Sequence, residues 1–216
     1  MVRYYDRVTH IQELCKGKRV LDVGCCNHGN LSKWETGQFL HAEIAKTAGD
    51  LHGLDNDTEA IKKLTERGYK VHEGNAEKLD PGKLGQFDVI VAGEIIEHLS
   101  NPGLFMDGAH ALLKRDGFIV ATVPNAWSFT RLKQLYKGLD DVQWTHSQHT
   151  AWYSKATIAA LFRRHHFEPV ELGFCDMYKS SRWLKTLRDR LRLGWAMRPE
   201  FSESVFIVGK KEEFGK

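Results

Sequence analysis

The sequence predicts one α/β domain: a mostly parallel sheet of seven strands with helices on both faces. Three observations carry that expectation. From residue 19 onward, short aliphatic runs alternate with segments of helical periodicity, the pattern of a sheet whose crossovers are helices. The runs are near-continuously apolar, as suits strands covered on both sides. The polar residues of greatest interest follow those runs directly, at the carboxyl ends of strands, where open α/β sheets bind ligands. At 216 residues the chain is long enough for one core and short for two.

Taken in order, Arg19-Val20-Leu21-Asp22-Val23-Gly24 reads as a buried strand ending in Gly, and Leu51-His52-Gly53-Leu54-Asp55 as a second, weaker one. Residues 58–68 read as a helix, capped by Thr58 or Asp57, with Ile61 and Leu64 on one face and Gly68 as its stop. Lys70-Val71-His72-Glu73-Gly74 is a third strand, and Phe87-Asp88-Val89-Ile90-Val91-Ala92-Gly93 is the clearest strand of all. Asn101 caps a helix with Pro102 in its first position, carrying Leu104, Phe105, Ala109, Leu112 and Leu113 and stopping before Gly117. Phe118-Ile119-Val120-Ala121-Thr122-Val123 is the fifth strand, ended by Pro124. Residues 125–150 are irregular. A helix over 154–166, a strand over 169–174 and a last strand over 204–209 complete the count.

Composition narrows the class. Hydrophobic content of 42% and charged content of 27% are those of an ordinary globular protein. No apolar run is long enough to cross a bilayer, and the first six residues lack the apolar core of a secretory signal, so a cytoplasmic location is the expectation. Cys15, Cys25, Cys26 and Cys175 form no C-x-x-C pair and read as free thiols. A net charge of +3 does not by itself argue for nucleic acid.

Two acidic strand ends point to a nucleoside. Asp22 precedes the turn Val23-Gly24-Cys25-Cys26-Asn27-His28-Gly29, whose glycines let the backbone approach a ligand. An ordinary tight turn is the alternative. Asp55 ends the second strand, where an acidic side chain accepts hydrogen bonds from ribose hydroxyls. Capping of the following helix is the alternative there, and Asp57 can serve that role instead. A nicotinamide enzyme would need a pyrophosphate cradle, normally the full G-x-G-x-x-G, which the chain lacks.

These segments, in order over residues 19–125, resemble class I S-adenosylmethionine-dependent methyltransferases. Val20-Leu21-Asp22-Val23-Gly24-Cys25 resembles their first motif and Leu54-Asp55-Asn56-Asp57 their ribose-binding loop. Gly74-Asn75-Ala76-Glu77-Lys78-Leu79 resembles the segment that packs on adenine. The run from Phe87 to Leu99 resembles the fourth-strand motif, and Leu112-Leu113-Lys114-Arg115-Asp116-Gly117-Phe118 the turn into strand five. The resemblance implies a Rossmann-like sheet with its last strand antiparallel. It implies S-adenosyl-L-methionine as cofactor, held by Asp22, Gly24, Cys25, Gly29, Asp55, Asn56, Asn75, Ala76, Glu77 and Glu94. One departure stands out: the family's G-C-G-x-G is Gly24-Cys25-Cys26-Asn27-His28-Gly29 here, and Gly29 takes the part of the last glycine. The whole chain is expected to be one domain, with residues 19–125 as cofactor core and 126–200 on the substrate side.

For the reaction, Glu94, Glu97 and His98 are spaced to share one side of a helical turn just past the fourth strand. With His149 they are the candidate catalytic residues, His98 acting as a base or as a group that orients the acceptor. Glu-x-x-Glu-His also resembles the pattern of methyltransferases of ubiquinone synthesis and of small-RNA 3′ ends, where it accompanies a metal. On that resemblance Glu94, Glu97, His98 and His149 (or His146) would be ligands of a divalent metal. Elsewhere in the family Glu-His sets the turn without metal, and that is the preferred expectation. Trp144, His146, His149, Trp152 and Tyr153 read equally as a substrate lid or as core aromatics with solvated histidines.

Residues 179–198 form a basic amphipathic segment, with Lys179, Arg182, Lys185, Arg188, Arg190, Arg192 and Arg198 around Trp183, Leu184, Leu187 and Leu191. Docking on its own domain is preferred over contact with an anionic membrane or a phosphate-bearing substrate. The expected function is methyl transfer to an oxygen or nitrogen of a small molecule, such as a glycan or quinone precursor. RNA methylation and a non-catalytic S-adenosylmethionine-binding regulator are the alternatives. Oligomeric state is not legible.

Overall fold

The strands observed are β1 (Arg3–Tyr4), β2 (Arg19–Val23), β3 (Asp50–Asp55), β4 (Lys70–Glu73), β5 (Phe87–Gly93), β6 (Leu113–Pro124), β7 (Phe167–Cys175) and β8 (Ser204–Lys211). The computed structural model describes residues 2–27, 39–138, 140, 145–176 and 198–212. All eight strands join one sheet in the order β1-β7-β8-β6-β5-β2-β3-β4. Pairing is parallel except where β8 meets β6 and β7, so the last strand is antiparallel to both neighbours. The strand count corrects the expected seven. The extra strand, β1, is two exposed residues paired parallel to β7, too short to carry any periodicity.

Among the described residues, seven helices connect the strands: α1 (Arg7–Cys15), α2 (Leu40–Ala45), α3 (Thr58–Glu66), α4 (Pro81–Leu84), α5 (Pro102–Leu112), α6 (Phe129–Tyr136) and α7 (Lys155–Arg164). Capping follows the side-chain chemistry. Asp57, rather than Thr58, accepts the Ala60 N–H at the start of α3, and Asn101 accepts from Leu104 ahead of Pro102 in α5. Ser154 and Thr157 form a reciprocal capping box on α7. The helix expected to continue through Leu113 ends at Leu112. Leu113 is already extended and begins β6, with Lys114, Arg115 and Asp116 exposed. The irregular stretch after strand five contains α6, which is capped by Ser128 and buries none of its side chains.

Two apolar layers sandwich the sheet. One joins Leu21, Val23, Ile90 and Ala92 to Phe105, Met106 and Leu112 of α5 and to Ile158 and Phe162 of α7. The other joins Val20, Val89 and Val91 to Ile11 and Cys15 of α1 and Ile44 of α2. Each fully buried Leu, Ile or Phe contributes about 1.5–3 kcal/mol of transfer free energy. Because side chains alternate along a strand, the even–odd assignment of these aliphatics also fixes the polar residues. Asp22 follows Val20, Gly53 and Asp55 follow Leu51, and Gly93 follows Val91. All four therefore face the α1/α2 side, past the end of the apolar layer. Arg7 and Thr122 meet on that same side, the guanidinium Nε donating to Thr122 Oγ1 at 3.1 Å.

Two glycines keep this end open. A Cβ on Gly93 would lie 2.5 Å from Leu40 Cδ2 and 2.9 Å from the Arg7 guanidinium, and one on Gly53 would lie 2.6 Å from Cys25 Sγ. Gly29, Trp144 and the basic segment apart from Arg198 lie outside the described residues. No helix among the described residues is long and apolar enough to cross a membrane.

Candidate active site

A cavity of about 790 Å³ opens at the carboxyl ends of β2, β3 and β5, a volume suited to a nucleoside-sized ligand together with a small acceptor. Its wall brings together Asp22, Gly24, Cys25, Asp55, Asn56, Asn75, Ala76, Glu94, His98 and His149 of the residues singled out in the sequence. Glu77 and Glu97 do not line it.

At one end the β2 and β3 tips interlock. Gly24 adopts a left-handed φ of 76°, and its N–H bonds the Leu54 carbonyl at 2.8 Å. A side chain here would be strained and would also meet Ile95 at 3.1 Å. Asp55 is the hub of the turn. Its Oδ2 accepts the Cys26 N–H at 2.8 Å, and its Oδ1 accepts from Asn56 at 2.8 Å and Asp57 at 3.1 Å. The Asp55 carboxylate therefore binds across from β3 to the altered glycine loop while it lines the cavity. Cys25 and Cys26 are buried with their sulfurs 3.9 Å apart. Their mutual hydrogen bond, followed by burial, pushes the Cys25 thiol above its ordinary range.

The segment after β4 is divided in its roles. Asn75 accepts the Glu77 N–H, closing a tight turn that presents Asn75 and Ala76 to the cavity. The Glu77 carboxylate turns away and accepts N–H bonds from Ser100 at 2.7 Å and Asn101 at 3.0 Å. It joins this turn to the start of α5, a tertiary contact that its position beside Ala76 did not foreshadow.

At the other end, Glu94 follows β5 in a left-handed conformation, φ 64°, which a glutamate rarely adopts. Its Oε1 accepts from Ser204 Oγ at 2.5 Å. Burial raises its carboxyl above the ordinary value, against the opposing pull of Arg7. Glu97 is 1% exposed, and neither of its carboxylate oxygens has a hydrogen-bond partner among the described residues. Burial, then the charge of Glu94, pushes Glu97 up to about 9. The two carboxylates thus titrate as a pair, with the positive charges of Arg7 and Arg131 opposing the rise.

His98 forms the rim with His149 and His146, at ring-centroid separations of 4.6 Å and 5.6 Å. Thr150 holds the 145–150 segment down. Its N–H bonds the Glu97 carbonyl at 2.8 Å and its hydroxyl bonds the Leu99 carbonyl at 2.7 Å. The aromatic stretch accordingly separates into parts: His146, Gln148 and His149 line the cavity, whereas Tyr153 joins the core. Trp152 receives the Arg131 guanidinium at 4.3 Å from its ring centre.

Three histidines of the rim also converge. One nitrogen each of His98, His146 and His149 lie within 4.8 Å of one another. Of the expected set Glu94, Glu97, His98 and His149 (or His146), the histidines meet in this cluster and the two carboxylates fall outside it. Glu97 Oε1 stands 3.9 Å from His98 Nε2, and Glu94 is engaged by Ser204.

Two ionisable cavity residues went unnoticed in the sequence, Arg7 and His41. Arg7 is 7% exposed and lines the cavity from α1. A signal for it existed, because Arg7, Ile11 and Cys15 share the buried stripe of that helix. A cation on an apolar stripe demands a partner. His41 of α2 is buried against Asp22.

Comparison with known proteins matches residues 3–172 to the family model described as "Methyltransferase domain". A ubiquinone biosynthesis O-methyltransferase of Azorhizobium caulinodans is 25% identical over 97% of this chain and 78% of its own length. The same-named protein of Bordetella avium is 30% identical over 55% of this chain, and the match spans about half of that relative (49%). Among solved structures, a chain of the complex between the Haloferax volcanii Trm112 methyltransferase activator and the putative methyltransferase has a TM-score of 0.63 at 15% identity, covering 96% of this chain and 89% of that one. The Burkholderia thailandensis 1,6-didemethyltoxoflavin-N1-methyltransferase, solved with its substrate and S-adenosylhomocysteine, has a TM-score of 0.59 at 16% identity, covering 95% and 78%.

Proposed function

The chain belongs to the methyltransferase domain family, and from that premise we propose that it methylates a hydroxyl oxygen of a small molecule, with S-adenosylmethionine as donor. The observation that carries this reading is the single cavity wall with acidic Asp55 at one end and the Glu94–His98 turn, His146 and His149 at the other. It has room for a nucleoside beside β2 and β3 and for an acceptor beneath the histidine rim.

The donor supplies an electrophilic methyl group on a positively charged sulfur, so the protein's task is alignment and exclusion of water. Asp55 receives the ribose hydroxyls, while Asn75 and Ala76 flank the base. Arg7 and Asp22 give an amino-acid zwitterion a cation and an anion in one place. On the acceptor side, a hydroxyl must lose its proton as it attacks. His98 and His149 border the space where that hydroxyl would sit, and imidazole is suited to receive the proton near neutral pH. Glu97 stands behind His98, its Oε1 3.9 Å from His98 Nε2, and burial favours its neutral form near neutral pH.

The test is calorimetric titration with S-adenosylmethionine, followed by an acceptor screen that detects demethylated donor. Binding in the micromolar range and turnover with a hydroxylated acceptor are expected. Absence of binding removes the reading, and turnover only with amines moves the acceptor to nitrogen.

A second reading is favoured by the three-histidine cluster. His98, His146 and His149 would hold a divalent metal, which would lower the pKa of an acceptor hydroxyl by Lewis acidity. Elemental analysis and activity in chelator decide this: about one equivalent of metal, with activity lost on chelation, is its expected result. Full activity in metal-free protein ends it.

A further inference from the structure

Among the described residues, Asp22 is the one carboxylate of the cavity that is held by another ionisable side chain at hydrogen-bond distance. Its Oδ2 lies 2.9 Å from His41 Nδ1, and the two side chains are 4% and 0% exposed. A buried carboxylate without a partner is costly, and one held by a single fixed donor has its orientation chosen for it. The imidazole is itself immobilised. Tyr69 lies 5.1 Å and Phe39 6.3 Å from it between ring centres. Gly53 is tolerated beside it for want of a side chain, since a Cβ there would stand 3.1 Å from His41 Cε1. His41 Nε2 makes no hydrogen bond among the described residues. The only polar link of this ring that the structure records is therefore the one to Asp22. Asp22 in turn lines the cavity on the same wall as Arg7.

We propose that His41 is a positioning residue for the amino-acid end of the methyl donor. By binding one oxygen of Asp22 it turns the other toward the donor's α-ammonium, while Arg7 receives the α-carboxylate. This rests on the methyl-donor reading above. His41 borders the cavity, but its side chain is fully buried and its recorded polar link is to Asp22, so its effect on the donor is exerted through Asp22. Its removal therefore weakens recognition of the amino-acid end and leaves recognition of the nucleoside intact.

Two ligands separate those ends. S-adenosylhomocysteine carries both, whereas 5′-methylthioadenosine keeps the nucleoside and lacks the amino acid. Titrated against His41→Ala, S-adenosylhomocysteine should bind about tenfold more weakly, the scale expected for a misdirected charge-assisted hydrogen bond. Methylthioadenosine should bind within about twofold of the unsubstituted protein. His41→Asn, whose amide nitrogen falls near the position of Nδ1, should recover most of the loss. In turnover, KM for the donor should rise in His41→Ala with kcat little changed. Asp22→Asn, which keeps the shape and removes the charge, should give the same split between the two ligands and serves if His41→Ala folds poorly.

Equal weakening of both ligands would show general damage to the pocket and overturn the proposal. So would unchanged binding of both, or an Asn variant no better than Ala. Failure of the unsubstituted protein to bind either ligand would instead overturn the methyl-donor reading, and this inference with it.

Discussion

Replacing Asp55 with Ala is expected to reduce affinity for S-adenosylmethionine about a hundredfold, more than loss of a single ligand contact would give. The carboxylate serves two clients at once. Toward the cavity it is the proposed partner of the ribose hydroxyls. Toward the protein it accepts N–H bonds from Cys26, Asn56 and Asp57. The first of these ties β3 to the loop that lacks the family's middle glycine. Truncation removes the ligand contact and also releases the loop that shapes the site. Asp55→Asn should rescue little, because an amide offers one acceptor oxygen and turns an N–H donor toward one of the backbone N–H groups. Calorimetry on both variants checks this, and an affinity unchanged in Asp55→Ala would mean that the ribose is held elsewhere.

Glu97→Gln is expected to stabilise the metal-free protein above neutrality and to flatten its stability against pH. Burial raises the Glu97 carboxyl from 4.5 to about 9 in the folded chain. Below the lower value both folded and unfolded forms hold the proton, and nothing is lost. Between the two values the folded state keeps a proton that the unfolded state releases. Each unit of rising pH then costs about 1.4 kcal/mol of stability, until the folded carboxyl ionises near the upper value. Neighbouring Glu94 shares this titration, so the measured slope belongs to the pair. Thermal unfolding followed from pH 6 to pH 9 in the presence of chelator should show the unsubstituted protein losing stability faster than the Gln variant. Parallel curves would mean that Glu97 ionises freely in the folded chain. Activity separates the roles further. Gln reproduces the neutral carboxyl, so the Gln variant should gain stability and keep its kcat at neutral pH, whereas a loss of kcat would mean that Glu97 acts as an anion beside His98.

Both expectations turn on how a local feature is used by its surroundings, and legibility in the sequence divides along the same line. Asp22, Asp55 and Glu94 could be found because each follows an apolar run whose strand character is local. The strand end alone predicts which rim the residue reaches. The start of α5 was likewise legible, since Asn101 and Pro102 act through neighbouring backbone. Glu77 was not, because its partners Ser100 and Asn101 lie more than twenty residues onward and meet it only when α5 folds against the β4 turn.

What the amino-acid order determined by itself is therefore the alternation of strand and helix, the acidic tips of β2 and β3, and the Glu94-to-His98 turn after β5, for these depend on periodicity and on interactions within a few residues. Tertiary structure alone decided that Arg7 and His41 reach the same wall as Asp22, that both His146 and His149 meet His98 while the two carboxylates stay outside that cluster, and that Glu97 is sealed beneath them. The physical reason is pairing at a distance. Strand register and side-chain parity decide which face each residue meets, burial then decides its charge, and neither is encoded in any short stretch of chain.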